Sequence, residues 1–491
     1  MKAYVVKAES ISLEERLLFL SLQGLVNKHE AVLFLEIDEY INYIKEYEIK
    51  YISLQEALNM FKKYYHGCIT LDFYLGNIDI NIASSLSAIF EALIIPNNLK
   101  HLIEEYQLKV LYDCTTLTGD YIDKQRYIFN LYKDRFNKDG LIHQVTLKNN
   151  CYITLRDYGI SKKWFCFYTG EDDKAKEFRK EVLMWADKNI CIHGWTSDEI
   201  SFVADISKYG DYIIPMDWSC NHSFLSKQSK KEIKQKEFKE EILENKHYLT
   251  IVVSDGDNIQ WLERDFAFTS TFADRIKDRR KFPISFTMAP AMYELSNAAI
   301  RYIYSLAENE YFVSGVSGAG YMNPCAFPKN YLPTFCNNTS KLMKMTDLSV
   351  VTLLDNKSNM VNIINTIDNY AIYDNIIGGI YEIDPSKYEG GKGEIYFSSN
   401  GKPFVSVRVS FWSKDGTNKT VTDEWIQEIA DKINSFKIDK TSKEGYTVLN
   451  VHPWSTKIKD LNKLVSLLKE HVQIIKTDDF IRLIKENVKG V

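Results

Sequence analysis

Apolar residues in the first third of the chain follow two spacings. The runs "AYVV", "AVLFLEI", "CITLDF" and "LKVLYD" have strand length, whereas "SLEERLLFLSLQGLVNK" and "INIASSLSAIFEALII" read as helices. "EYINYIKEYEI" is read as a further helix, and Ser12 with Glu15 and Ser53 with Glu56 have capping-box spacing. Strands alternating with helices predict an α/β domain with a parallel sheet. Residues 150–228 are less regular and rich in aromatics. The following stretch, "SKQSKKEIKQKEFKEEILENK", is almost all charge, with Ile233, Phe238 and Ile242 as isolated apolar points. It predicts an exposed amphipathic helix at a domain boundary.

Beyond that stretch the pattern becomes regular. Strand-like runs recur at "YLTIVV", "FPISFTM", "YFVSGV", "LSVVTLL", "NIIGGIY", "FVSVRVSF", "YTVLNV" and "VQII", most of them separated by helical segments. This rhythm predicts a (β/α)7–8 barrel, with an open doubly wound sheet as the alternative. The expected organisation is an N-terminal α/β domain over 1–228, with two subdomains parting near 110–150 as an option. A charged helical linker over 229–246 and the barrel over 247–491 complete it.

In a barrel the carboxyl ends of the strands converge on one face, where chemistry sits. The residues after each strand are "SDGDN", "APAMYE", "SGAGYMNP", "LDN", "YEID", "WSKDG" and "HPW". Acids, amides and aromatics gather there, whereas a purely structural loop favours Gly, Pro and Ser. Asp255 and Asp257 could act as a catalytic acid, hold a metal or bind hydroxyls; alternatively one of them caps the next helix. An EF-hand is excluded, because Ile259 and Phe266 stand where ligands belong. "GVSGAGYMNP" lacks the glycine order and lysine of a nucleotide loop. It reads as a tight turn that lets backbone approach a ligand, with Tyr321 against it. Glu382 and Asp384 form a second acidic pair, Asp384 expected in the turn. His452 is a candidate base or ligand, and Trp454 suits an apolar sugar face.

Composition narrows the class. The chain has 491 residues, 45% hydrophobic and 26% charged, with a formal charge of −5. It is long enough for two or three domains and lacks the clustered basic surface of a nucleic-acid binder. Its eight cysteines contain no C-x-x-C pair, which excludes a zinc ribbon. The opening residues carry no signal-peptide pattern and no window has the apolar length of a membrane span, so no membrane partner and a cytoplasmic location are expected.

Taken in order, "SDGDNIQW", "SGAGYMNP" and "VHPW" resemble the GxGYxYP family of putative glycoside hydrolases. The upstream segments "SLQGLVNK", "NIASSLSAI", "GWTSDE" and "MDWSCNHSF" resemble that family's N-terminal region, so the similarity spans nearly the whole chain. Gly318, Gly320, Tyr321 and Pro324 carry the signature; Asn323 stands where the pattern has a further tyrosine. The resemblance implies hydrolysis of a carbohydrate substrate by two carboxyl groups, one protonated and one ionised. Asp255 or Asp257 would face Glu382, with Glu294 as a substitute that could equally start a helix. Asn258, Asn323 and His452 would bind substrate, and Trp195, Trp218, Tyr321 and Trp454 would stack on sugar rings. Asp217 is the upstream acid of interest; Glu199 is set aside as a capping-box partner of Thr196. No cofactor is expected. The alternatives are a metal-dependent carbohydrate deacetylase, with a divalent metal on Asp255, Asp257 and His452, and a glycan-binding protein without turnover. Oligomeric state is left open.

Overall fold

The computed structural model describes residues 2–145, 153–278, 281–384, 387–415 and 420–489. It divides into two compact units, Met1–Lys230 with Glu294–Ala299, and Lys231–Tyr293 with Ile300–Val491. In the first unit, β1 (Lys2–Lys7) lies between β2 (Leu33–Glu36) and β3 (Glu48–Tyr51). β4 (Cys68–Leu71) lies between β5 (Leu93–Pro96) and β6 (Val110–Asp113). A third sheet orders β10 (Tyr212–Pro215), β9 (Cys191–Gly194), β7 (Asn137–His143) and β8 (Trp164–Phe167). All pairs are parallel. The expected single sheet is thus three small ones. Helix Leu13–Asn27, buried along most of its length, packs against both β5 and helix Arg156–Lys162 and so joins them.

Several expected elements are corrected here. "EYINYIKEYEI" is a short 3-10 stretch, Asp38–Ile44, followed by β3, because its last residues complete the edge beside β1. The helix read through "ALII" stops at Phe90, where Glu91 turns left-handed (φ 52°), and the Ile-rich tail becomes β5. The cap of helix Glu199–Lys208 is Asp198, whose carboxylate accepts the Ser201 N–H, and not Thr196.

The second unit is one curled half-barrel sheet of nine strands with a tenth attached. β11 (His247–Val253), β12 (Ile284–Met288), β13 (Glu310–Val316), β14 (Val350–Asn356) and β15 (Gly378–Asp384) are parallel neighbours in chain order. Asp384 therefore closes the strand and is not in the turn. The short β16 (Ile395–Phe397) pairs antiparallel with β17 (Pro403–Ser406), which lies beside β15. On the other side of β11 come β19 (Tyr446–Val451) and β18 (Val409–Phe411), and β20 (Val472–Ile474) also joins β11. "FVSVRVSF" thus splits into β17 and β18. At the break, Val407 N–H donates to Tyr381 O (2.9 Å) and Arg408 N–H to Val448 O (3.2 Å). Side chains from alternate strand positions, among them Val252, Val313, Ile380 and Val448, form one core with Phe480, Ile481 and Ile484 of helix Thr477–Asn487.

The charged segment before β11 is not the expected helix; residues 229–243 carry no regular structure. From Lys231 onward it lies as a strap along the second unit. Gln235 exchanges bonds with Phe312, donating to its carbonyl (3.1 Å) and accepting its N–H (2.7 Å). Gln235 N–H also donates to Asp347, and Phe238 and Ile242 pack on the core. Partners outside the segment satisfy its backbone and apolar points better than a solvated helix would. Among the described residues no helix is long and apolar enough to cross a membrane.

Candidate active site

Strand alternation decides which groups meet. Ile380 belongs to the core of the second unit, so Glu382, two residues further along β15, faces the same side. Asn450 stands in the same relation to Val448 on β19. The two side chains meet: Asn450 Nδ2–H donates to Glu382 Oε1 at 2.7 Å. Glu382 is 1% exposed. Burial, reinforced by the negative charges of Asp255, Asp257 and Asp384, pushes its carboxyl well above the usual range, against the pull of the Asn450 bond. Such a setting favours the protonated form of the carboxyl over the ionised one. Burial raises Asp384 as well.

The aspartates reach this place through a turn that only glycine permits. Gly256 lies so close to the Thr287 carbonyl that a Cβ would stand 1.8 Å from its oxygen. Gly256 N–H donates to Thr287 Oγ1 (2.8 Å), and that hydroxyl donates to Val253 O (2.8 Å), pinning the turn to two strands. Asp255 takes a left-handed backbone, φ 69°, which Asp tolerates better than most residues. The next helix begins at Ile259 with Asn258 at its N-cap, and the Asn258 amide turns back to Asp255 O at 3.3 Å. The Asp255 carboxylate is engaged elsewhere. Its Oδ2 accepts Trp454 Nε1–H, and His452 Nε2 lies 3.8 Å from the same oxygen.

Trp454 is 40% exposed and leans on Trp261. His452 is buried and stacked on Trp412, ring centroids 3.6 Å apart and nearly parallel. Burial holds its imidazole below the usual range although Asp255 opposes the shift, so the ring is neutral at pH 7. Among the described residues its Nδ1 has no hydrogen-bond partner. Trp412 is fixed in turn by Trp425, whose Nε1–H donates to its carbonyl at 2.7 Å.

The glycine-rich loop after β13 is locked by packing. Ser317 and Gly318 are left-handed (φ 59° and 101°), and a Cβ on Gly318 would meet Thr339 at 2.2 Å. Tyr321 is buried and Asn323 half-buried. The loop is anchored by Asp355, at the end of β14. Its carboxylate accepts Cys325 N–H (3.2 and 3.1 Å) and Tyr381 O–H (3.1 Å), and burial raises it to about 7. Sequence reasoning passed over Asp355 and Asn450. The acid in "LDN" was a visible signal for Asp355, whereas nothing in "YTVLNV" distinguishes Asn450 from any other polar residue within an apolar strand.

The structure therefore brings Asp255, Asp257, Glu382, His452 and Trp454 to the carboxyl ends of β11, β15 and β19 in the second unit. Four other candidates belong to the first unit. Glu294 is exposed, in the short helix Met292–Leu295. Trp195 is half-buried and its carbonyl meets His143 Nδ1 at 2.9 Å. Asp217 is buried, and its carbonyl accepts Gln144 Nε2–H at 2.8 Å. Trp218 is exposed. Among the described residues no three His, Cys, Asp or Glu side chains are grouped to hold a metal ion.

These features define an α/β protein with an acidic site at the carboxyl ends of a curled parallel sheet. The "GxGYxYP putative glycoside hydrolase C-terminal domain" matches residues 245–485 and the "GxGYxYP third domain" matches residues 143–227. The chain belongs to the GxGYxYP family. A crystal structure described as a putative hydrolase from Bacteroides thetaiotaomicron VPI-5482 shares the fold, with TM-score 0.86 at 23% identity over 99% of this chain and 95% of that one. A putative polysaccharide deacetylase from Mycobacterium smegmatis aligns at TM-score 0.32 and 10% identity, over 53% of this chain and 98% of its own, too low to bear on fold or function. No curated protein matches the chain.

Proposed function

We propose that the protein is a glycoside hydrolase that cleaves a carbohydrate substrate with Glu382 as general acid and Asp255 or Asp257 as the ionised partner. The observation that carries this reading is the buried carboxyl of Glu382, pushed toward its protonated form by burial and by the negative charges of two half-buried aspartates. Glycosidic cleavage needs one carboxyl kept neutral to protonate the leaving oxygen and another kept ionised, and environment separates them. Trp454 orients Asp255 through its Nε1–H, and its exposed face offers an apolar surface to a sugar ring. On this reading the curled sheet works as a (β/α)7 barrel, residues 403–411 serving as one strand between β15 and β19.

The test is a panel of aryl glycosides and oligosaccharides. Glu382→Gln is expected to lower kcat/KM by about 10²–10⁴-fold on any substrate with a poor leaving group, the usual contribution of a positioned acid. Asp257→Asn and Asp255→Asn are compared alongside. Full turnover in Glu382→Gln, or in both aspartate variants, removes the assignment.

A further inference from the structure

We infer that Asn450 is a positioning residue that fixes the proton of Glu382 on Oε2, the oxygen that meets the leaving group; this rests on the acid role assigned to Glu382. The argument is one of hydrogen-bond accounting. A neutral carboxyl has one hydroxyl oxygen and one carbonyl oxygen. Oε1 accepts the Asn450 Nδ2–H at 2.7 Å, which makes it the carbonyl oxygen and leaves the proton to Oε2. Among the described residues Asn450 is the one hydrogen-bond partner of this carboxyl. The other groups that act on it, Asp255 and Asp257 after β11 and Asp384 on its own strand, are acids; when ionised they accept and cannot donate.

The placement of Asn450 is not what packing alone would select. It is fully buried, as Glu382 is, and among the described residues its Oδ1 has no partner. An amide buried with half of its capacity unmet is a worse core residue than leucine. The bond also spans the interior. β15 and β19 are not neighbours; residues 403–411 lie between them, so the pair ties two strands that the sheet ladder does not join directly. That fixes the rotation of the Glu382 carboxyl about its own stem.

Infrared difference spectra of the full chain test this without relying on turnover. Glu382→Gln identifies the protonated carbonyl band of Glu382. In Asn450→Leu that band is expected to move to higher frequency, as Oε1 loses its donor, and its titration midpoint to rise by about one pH unit, because the lost N–H favoured the ionised form. Asn450→Ser, smaller and tolerant of water, repeats the measurement if the leucine variant folds poorly. In kinetics, kcat/KM for phenyl glycosides is expected to fall about tenfold and the basic limb of its pH profile to move up, with less than about a twofold change for dinitrophenyl glycosides, whose leaving group needs little acid. An unchanged band and midpoint in both variants overturns the inference, and so does a midpoint that moves down, which would mean that Asn450 accepts the proton. Failure of the acid role is seen separately, as full activity of Glu382→Gln on phenyl glycosides.

Discussion

Trp454 has two roles in the proposed site, and a single substitution separates them. Its Nε1–H donates to Asp255 Oδ2, and its ring is partly open to solvent. Trp454→Phe keeps an aromatic face but removes the donor. On the proposed mechanism it is expected to lower kcat about tenfold, the scale of one hydrogen bond to a charged group, with KM within about twofold of wild type. Trp454→Ala is expected to raise KM as well. Steady-state kinetics on one hydrolysed aryl glycoside decides, and an unchanged kcat in Trp454→Phe would remove Asp255 orientation from its roles. At this scale the sequence was legible where chemistry interrupts an apolar run. Asp255, Asp257 and Glu382 stand out because they are acids at the ends of apolar runs. Asn450 does not, since its importance lies in which side of β19 it occupies, and that is set by the core around Val448 and not by its neighbours in the chain.

At the scale of elements, the signature loop shows how a buried acid acts through structure. Asp355 ties the loop to β15 through Cys325 and Tyr381. Register places it beside Ile383, on the same side as Tyr381 and opposite to Glu382. Burial raises its carboxyl from an ordinary 3.8 to about 7 in the folded state. The folded form binds the proton more tightly than the unfolded form, so this contribution to stability is complete below about pH 4 and is lost as pH rises through about 7. Asp355→Asn is expected to be no more stable than wild type at pH 4, because the amide has one acceptor oxygen in place of two. It is then expected to gain on wild type by a few kcal/mol, on the order of the linkage term, as pH rises to 8. Thermal melts of both proteins across that range check the sign; parallel pH profiles would contradict it. The elements most poorly read from sequence were those settled by distant partners. The strap over 229–243 has the composition of an exposed helix, yet Gln235, Phe238 and Ile242 each find a place on the second unit. β3 and β5 were absorbed into helices because their few apolar residues continue a helical spacing.

Across the whole molecule, the two compact units part near residue 230, within the charge run. The three separate sheets of the first unit were not legible, because local spacing predicts strands without saying which of them pair. In the second unit every predicted strand is present, and the features that sequence missed are β16 and the change of partner within "FVSVRVSF". Val407 N–H bonds to β15 and Arg408 N–H to β19, so two adjacent peptides hold the strands that carry Glu382 and Asn450. Cross-strand distance between those two side chains then depends on a single crossing point. Val407→Pro removes the donor to Tyr381 O without removing the apolar bulk, and a lost ladder bond of this kind costs on the order of 1–3 kcal/mol. The expected result is local: faster amide exchange around Tyr381 and Val448, with β12, β13 and β14 as protected as in wild type, and on the proposed mechanism a fall of about tenfold or more in kcat/KM as Glu382 loses its partner. Uniform loss of protection across the sheet would mean that the crossing point supports the whole unit, and unchanged exchange with full activity would mean that it supports neither the sheet nor the site.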